Sequence, residues 1–200
     1  MFLDRADAGR RLAERLMAEG IRADLVLAIP RGGVVVGAEV ASALGVPIDV
    51  IVPRKIGAPH NPEYAVGAVT EDGTVIYDEQ ALQALGLSPD DLAGEVDRQV
   101  QEITRRTKLY RGGAPRTTWT GKRVILVDDG IATGLTTLAA LRSLKKWQPR
   151  EVILAVPVAA REALAMLRPE VDRLVCLLVP DLFFDVGQFY HEFGQTPDAD

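Results

Sequence analysis

Two adjacent carboxylates and the short turn after them are the residues of this chain best suited to chemistry. Asp128 and Asp129 directly follow four apolar residues at 124–127 that predict a buried strand, and a helical pattern runs from Leu135 to Leu144. Because strand side chains alternate between faces, the two acids are expected to splay to opposite sides of the sheet edge. Carboxylates in that position suit a ligand that carries hydroxyl groups or a bound cation.

The turn between the acids and the helix is predicted to bind an anion. Its glycines allow a ligand to approach the backbone closely, and its threonine hydroxyls stand beside the free N–H groups of the helix start. The predicted phosphate-binding residues are Gly130, Ile131, Ala132, Thr133, Gly134, Leu135, Thr136 and Thr137. Neither the P-loop spacing nor the dinucleotide G-x-G-x-x-G spacing occurs in this stretch. An anion site beside an acid pair describes a sugar phosphate, and the alternative is an ordinary strand-to-helix turn with solvated acids.

Residues 124–137 resemble the phosphoribosyl pyrophosphate motif of the type I phosphoribosyltransferases, which has an apolar strand, two acids and a T/A-T-G-x-T turn. The resemblance implies transfer of 5-phosphoribosyl from phosphoribosyl pyrophosphate to a nitrogenous base, with release of pyrophosphate, as in base salvage. Asp128 and Asp129 would hold the ribose 2′ and 3′ hydroxyls and the turn would hold the 5′-phosphate. Mg²⁺ would arrive with the substrate and could contact both acids.

Two alternatives from other functional classes remain open. The first is a regulator that senses phosphoribosyl pyrophosphate or a nucleotide and performs no chemistry. The second is a partner module of a separate enzyme, because similar domains occur fused to hydrolases. The chain has no G-x-S-x-G elbow of its own that would make it such a hydrolase.

Two basic loops are predicted to lie at the same sheet edge as the acids. The βαβ pattern from Asp24 to Val52 indicates a parallel sheet, in which ligands bind at the carboxyl ends of the strands. Backbone N–H groups of glycine and cationic side chains at this edge would suit a pyrophosphate leaving group, although each loop could also be a solvated turn. The predicted pyrophosphate-binding residues are Arg31, Gly32, Gly33, Arg54 and Lys55.

A flexible flap is predicted at about 108–121, where the chain is rich in glycine, proline and threonine and too polar to pack as core. The preceding helix is expected to begin at Ser88 and to continue to about Thr107. Basic residues at its end could also serve only to complement the helix dipole. By resemblance to the family, the candidate catalytic residues are Asp128, Asp129, Lys108, Tyr110 and Arg111.

The tail, at about 180–200, is predicted to form a hood that holds the base. It resembles the Pro-Asp-x-Phe-x-Val-Gly segment of hypoxanthine-guanine phosphoribosyltransferases, in which the phenylalanine stacks on the purine and a nearby acid helps to hold magnesium. Alignment on Val186-Gly187 assigns base binding to Phe184 and Asp185, while one extra residue leaves Phe183 open as the stacking residue. The aromatic residues could instead only pin the tail to the body.

Two departures from those enzymes argue against a 6-oxopurine acceptor. Ala132 stands where they carry an aspartate as candidate base, and residues 156–158 lack their purine-reading lysine. Alanine at the first of these positions is what the adenine and uracil enzymes show.

The whole chain of 200 residues is expected to form one domain, an open, mostly parallel, doubly wound α/β sheet with helices on both faces. A loop is predicted at 53–66 and a hairpin at 67–77. The net charge of −5 argues against a general nucleic-acid binder, and no apolar run reaches membrane-spanning length. We therefore predict a cytoplasmic protein with a small-molecule substrate and no nucleic-acid or membrane partner, and the sequence leaves a homodimer open.

Overall fold

The computed structural model of the chain describes residues 1–112 and 118–194. Within these ranges the strands are Leu25–Ala28 (β1), Ile48–Val50 (β2), Arg54–Ala58 (β3), Asn61–Val69 (β4), Val75–Tyr77 (β5), Arg123–Val127 (β6), Glu151–Val158 (β7) and Arg173–Leu178 (β8). The α-helices are Arg5–Ala18 (α1), Gly32–Leu44 (α2), Glu79–Leu85 (α3), Ala93–Arg111 (α4), Leu135–Lys145 (α5) and Arg161–Leu167 (α6). Short 3-10 helices occupy Pro89–Leu92, Arg168–Glu170 and Val186–Phe189.

Five parallel strands form the main sheet in the spatial order β2-β1-β6-β7-β8. β1 and β6 are neighbours, and Ala28 at the end of the first pairs with Val127 at the end of the second. The loops that follow these two strands, beginning at Ile29 and Asp128, therefore leave the sheet side by side. This adjacency places the predicted pyrophosphate loop next to the acid pair.

Helices cover both faces of this sheet, as the sequence predicted. α1 and α2 pack on one face through apolar side chains such as Leu12 and Val36, and α5 packs on the other through Leu138 and Leu141. Each strand contributes side chains to both faces because neighbouring side chains alternate. Val26 belongs to the core under α1 and α2, and Leu27 belongs to the core under α5. No helix in the described ranges combines the length and apolar character that crossing a membrane requires.

A second sheet is antiparallel and has the order β3-β4-β5. Much of it is formed by residues that the sequence analysis assigned to a loop. The 67–77 hairpin is confirmed, but the loop predicted at 53–66 is wrong. Pro62 masked the strand pattern, yet it is tolerated because β5 pairs only with residues 67–69 of β4 and leaves one side of Pro62 without a strand. Gly57 permits the close approach of β3, since an added Cβ would overlap the carbonyl group of Pro62.

α4 continues one turn beyond the predicted end at Thr107. Gly112, in a left-handed conformation, terminates the helix and donates its N–H to the carbonyl of Lys108 at 3.1 Å. The first residues of the predicted flap are therefore helical, while residues 113–117 lie outside the described ranges. Trp119 is only 3% exposed, so the prediction that this whole segment is too polar for the core is wrong at that position.

The C-terminal segment folds back on the N-terminus. Phe2 forms a parallel bridge with Tyr190, and their rings lie 5.4 Å apart. The N–H of Phe2 also donates to the carbonyl of Phe189 at 2.9 Å. These contacts hold the predicted hood beside the start of α1, while residues 195–200 of that prediction lie outside the described ranges.

Candidate active site

The two carboxyl groups of the acid pair lie on the same side of the sheet edge. β6 ends at Val127, so the alternation of strand side chains does not extend to Asp128 and Asp129. Both groups adjoin the start of α2: a Cβ added to Gly33 would lie 3.1 Å from Oδ1 of Asp128, and one added to Gly32 would overlap the Asp129 carboxylate. The prediction that the acids splay to opposite sides is therefore wrong.

The charge of each acid affects the protonation of the other. Burial raises the pKa of Asp128 well above its usual value, and the charge of Asp129 raises it further. The backbone N–H of Asp129 also donates to Oδ1 of Asp128 at 2.8 Å. The pair is therefore a close, electrostatically strained unit whose charge calls for a nearby cation.

Arg5, at the start of α1, provides that cation. Its Nε lies 2.9 Å from Oδ2 of Asp129, and the two side chains are 14% and 15% exposed. The sequence analysis missed Arg5 because 124 positions separate the partners and neither lies in a motif that names the other. Only the fold brings the first helix to the carboxyl end of β6.

The C-terminal segment closes over the same corner. Oη of Tyr190 donates to the backbone carbonyl of Asp129 at 2.6 Å. Burial and the charges of Asp129 and Asp128 raise the pKa of this phenol, which keeps it protonated as a donor. Val186 lies against Gly130, where an added Cβ would come within 2.6 Å of its Cγ1. Gly130 thus allows the hood to approach the turn.

Ile131 serves the fold at the start of the predicted phosphate turn. Its side chain is buried, its N–H donates to the carbonyl of Val158 at 3.0 Å, and its carbonyl accepts from the N–H of Ala160 at 2.9 Å. The prediction that Ile131 binds phosphate is corrected for this reason, since both its amide and its side chain are already engaged. The bridge to β7 fixes where the turn begins.

The remaining part of the turn leads into the amino end of α5. Gly134 adopts a left-handed φ of 87° as the residue before the helix, and Ala132 and Thr133 are exposed. The first N–H groups of an α-helix have no partner within the helix, so residues 135–137 present donors to an anion. Thr137 is buried on the core side, whereas Thr136 lines the neighbouring pocket.

A pocket of about 530 Å³ is rich in cationic side chains and reaches Arg31, the residue before the Gly32 that contacts Asp129. Thr136 of the phosphate turn lines it, as does Arg31, which joins Pro30 through a cis peptide bond. Its charged lining residues are Arg31, Arg54, Lys55, Arg98, Arg106 and Glu95. Because only one of these six is acidic, the pocket has the charge that a polyanion requires, although the net charge of the chain is −5.

Of the two α4 arginines in this pocket, Arg98 was missed by the sequence analysis, and Arg106 was considered only as one of the basic residues that could complement the helix dipole. Arg98 pairs with Glu95, and Arg106 with Glu102 at 2.9 Å. Arg54 donates to Oε1 of Gln99 at 2.9 Å, while burial and then the charge of Arg106 lower its pKa. A signal was present in the sequence, because polar residues at 95, 99, 106 and 110 lie on one helical stripe.

The three candidate catalytic residues near the predicted flap lie in different surroundings. Tyr110 lines the cationic pocket, and Lys108 is exposed on α4. Arg111 is engaged elsewhere: its Nε lies 3.2 Å from Oδ1 of the buried Asp49. Nε1 of Trp119 donates to the other oxygen of that carboxylate at 3.2 Å. Arg111 is therefore part of a buried ion pair, which binds its guanidinium away from the pocket.

The two phenylalanines left open by the sequence differ in exposure. The ring of Phe183 lies 5.3 Å from that of Phe189 and packs against the core, whereas Phe184 is 80% exposed. Oδ1 of Asp185 accepts from the N–H of Gln188 at 3.1 Å and caps the 3-10 helix of the hood. Of the two rings, Phe184 is thus the one with a face available to a ligand.

The acid pair provides the carboxylates of this site that suit a divalent cation such as Mg²⁺. In the described part of the chain, no group of three or more histidine, cysteine, aspartate or glutamate side chains gathers as a metal site. Asp128 and Asp129 supply two adjacent carboxylates beside the cationic pocket. Mg²⁺ is commonly held by one or two carboxylates together with substrate phosphates, and this donor set matches that pattern.

The doubly wound parallel sheet, the acid pair at its carboxyl edge and the adjoining hood define an α/β protein of the type I phosphoribosyltransferase class. The sequence model of the phosphoribosyl transferase domain matches residues 2–193. The chain belongs to this family.

Curated relatives and solved structures agree with this assignment. Two Mycobacterium tuberculosis proteins, from strains H37Rv and CDC 1551, each described as a "putative phosphoribosyl transferase", are 42% identical over 198 residues, which is 99% of this chain. The chain spans 45% of the length of these relatives. The crystal structure of TT1426 from Thermus thermophilus is 43% identical, with a TM-score of 0.81 over 99% of this chain and 94% of that one. A hypothetical protein from Neisseria gonorrhoeae with bound ppGpp shares the fold, with a TM-score of 0.55 and 16% identity over 90% of this chain and 85% of that one.

Proposed function

We propose that the chain transfers 5-phosphoribosyl from phosphoribosyl pyrophosphate to a nitrogenous base and releases pyrophosphate. One observation carries the proposal: the acid pair touches Gly32 and Gly33, whose neighbour Arg31 lines the cationic pocket. A ligand that places its hydroxyl groups at the acids would therefore place a neighbouring pyrophosphate group at the pocket. Phosphoribosyl pyrophosphate has this order of groups.

Each part of the site has a role in this reaction. The amino end of α5, with Thr136, would bind the 5′-phosphate, and Asp128 and Asp129 would accept hydrogen bonds from the ribose hydroxyls. As the bond from C1 to pyrophosphate breaks, positive charge grows on the sugar and negative charge on the leaving group. The carboxylates stabilise the first charge and the cationic pocket stabilises the second.

The pyrophosphate would lie against cations from three segments of the chain. Arg31 precedes α2, Arg54 and Lys55 begin β3, and Arg98 and Arg106 lie on α4. Mg²⁺, when bound with the substrate, supplies further neutralisation of the pyrophosphate oxygens, and the acid pair would help to hold it. Phe184 and its neighbour Asp185 are the proposed contacts of the base.

Pyrophosphate release tests this proposal directly. The protein is incubated with phosphoribosyl pyrophosphate, Mg²⁺ and a panel of purine and pyrimidine bases. We expect release that depends on one class of base, and loss of that release in Lys55→Ala. Arg150→Ala is the matched control, because this exposed arginine precedes β7 at the opposite, amino edge of the sheet. Binding of phosphoribosyl pyrophosphate without release across the panel would instead support the sensing regulator.

A second function is a phosphoribosyl-binding module that serves another part of a longer protein. This alternative is favoured by the observation that the chain spans less than half of its curated relatives. The same assay separates the two proposals when a full-length relative is compared with the matching segment alone. A module would release pyrophosphate only in the longer protein, whereas an independent transferase would do so in both.

A further inference from the structure

Arg5 contacts three parts of the hood corner at once. Its Nε donates to Oδ2 of Asp129 at 2.9 Å, and its Nη1 donates to the carbonyl of Gly194 at 2.6 Å. The guanidinium carbon also lies 3.9 Å from the centre of the Phe193 ring. One side chain thus connects the first helix, the acid pair and the C-terminal segment.

The backbone holds Arg5 firmly in this place. Asp4 caps α1 by accepting from the N–H of Asp7 at 2.8 Å, so Arg5 is the first residue of a well-formed helix. The next turn is anchored by Ala8, which is completely buried. Because the start of the helix is fixed, the guanidinium restricts the orientation of the Asp129 carboxylate and does not move with it.

We propose that Arg5 is a positioning residue of the phosphoribosyl site, which holds the Asp129 carboxylate in the orientation that accepts a ribose hydroxyl. The inference rests on the proposed function. Two adjacent carboxylates repel each other, and the partly buried Asp129 would turn toward solvent without a cation beside it. Arg5 counters this repulsion, and its contacts with Phe193 and Gly194 make the orientation depend on the C-terminal segment.

A purely structural role would give Arg5 no influence on ligand affinity. Arg11 offers a matched control for that role, because its guanidinium lies 4.6 Å from the centre of the Phe2 ring and its Nη1 donates to the carbonyl of Met1 at 3.1 Å. It therefore makes the same kinds of contact from the same helix without touching the acid pair.

Calorimetric titration of Arg5→Ala with phosphoribosyl pyrophosphate and Mg²⁺ tests the inference. Loss of a charge-assisted hydrogen bond that orients a binding group is expected to weaken affinity about tenfold or more. Arg11→Ala should bind like the wild type. Arg5→Lys keeps the charge but cannot reproduce the planar fork, so it should recover affinity only in part.

A double-mutant cycle tests whether Arg5 acts through Asp129. If it does, Arg5→Ala should reduce affinity in the wild type but add little to the loss in Asp129→Asn. Inorganic pyrophosphate titrated without Mg²⁺ provides the control for folding, because it then needs the cationic pocket and not the acid pair. Arg5→Ala should therefore bind pyrophosphate with unchanged affinity.

The outcomes distinguish the inference from the proposed function. Failure of the wild type to bind phosphoribosyl pyrophosphate would overturn both. Wild-type binding with unchanged affinity in Arg5→Ala would overturn only the inference, as would equal losses in Arg5→Ala and Arg11→Ala. Tighter binding by Arg5→Ala would also overturn it, because Arg5 would then compete with the ligand for Asp129.

Discussion

Gly32 lies directly against the carboxylate of Asp129, because a Cβ added to Gly32 would lie 2.0 Å from Oδ2 of Asp129. Gly32 directly follows Arg31, which lines the cationic pocket, so the first residue of α2 connects that pocket with the acid pair. Nε of Arg5 would also lie within 2.6 Å of an added Cβ. Glycine at this position is therefore needed for the space it leaves, and its φ requires no special conformation.

Gly32→Ala should displace the Asp129 carboxylate and weaken binding of phosphoribosyl pyrophosphate by about tenfold or more, because the overlap costs roughly 1–3 kcal/mol. Titration calorimetry measures the affinity. Gly94→Ala is the matched control, since this glycine also lies near the start of a helix and an added Cβ there meets nothing within 4 Å. That change should leave affinity unchanged and stabilise the fold by up to about 1 kcal/mol. Equal affinities in the two variants would contradict the role of this close contact in substrate binding.

Arg31→Ala and Lys55→Ala should each weaken pyrophosphate binding by roughly tenfold, since each removes a cation from the pocket. Competition with phosphoribosyl pyrophosphate measures the effect. The loss should shrink as salt concentration rises, because exposed charges are screened. Arg150→Ala, at the opposite sheet edge, should behave like the wild type. A loss of ribose 5-phosphate binding equal to the loss of pyrophosphate binding would argue against a leaving-group pocket.

Asp128→Asn should stabilise the ligand-free and metal-free protein at neutral pH while it weakens substrate binding. Burial, and then the charge of Asp129, raises the pKa of Asp128, so the folded state keeps a proton that the unfolded chain releases at about pH 4. The free energy of unfolding of the wild type therefore falls as pH rises above that value, until the pKa of the folded state is passed. Asparagine has no such proton to lose.

Chemical denaturation across pH measures this difference. The advantage of Asp128→Asn should be near zero at about pH 3 and should grow as the pH rises to neutral. Asp181→Asn serves as the control, because that carboxyl is 97% exposed. A stability advantage that is constant across pH, or largest in acid, would contradict a raised pKa of Asp128 in the folded state.

Phe184→Ala should weaken binding of the nucleotide product and leave the free energy of unfolding nearly unchanged, because the ring is exposed. Phe183→Ala should instead lower the free energy of unfolding by roughly 2 kcal/mol or more, since its ring packs against Phe189. Its effect on product binding should be the smaller one. Thermal unfolding and product titration together separate the two. Loss of product affinity in Phe183→Ala without loss of stability would reassign the stacking position.

The sequence carried most of the fold and the core of the candidate site because their signals are local. The run from Val124 to Thr137 contains the strand, the acids and the helix start in one stretch, and the chain belongs to the family that this motif indicated. The doubly wound sheet followed from alternating apolar strands and helices. Neither inference needed contacts between distant segments.

What the sequence did not show depends on distant contacts. Arg5 reaches Asp129 only through the packing of α1, and Arg111 is bound to Asp49 across 62 positions. Trp119 is buried within a segment whose glycine and proline content indicated a flap. In each case the partner was chosen by tertiary structure, which local composition does not encode.

A crystal structure of the protein with ribose 5-phosphate and Mg²⁺ tests the central claim most directly. The account predicts the phosphate at the amino end of α5, beside Thr136, and the 2′ and 3′ hydroxyls within hydrogen-bond distance of Asp128 and Asp129. C1 should then face the pocket lined by Arg31 and Lys55. A ligand bound elsewhere, or a corner that stays empty at saturating ribose 5-phosphate, would contradict the account.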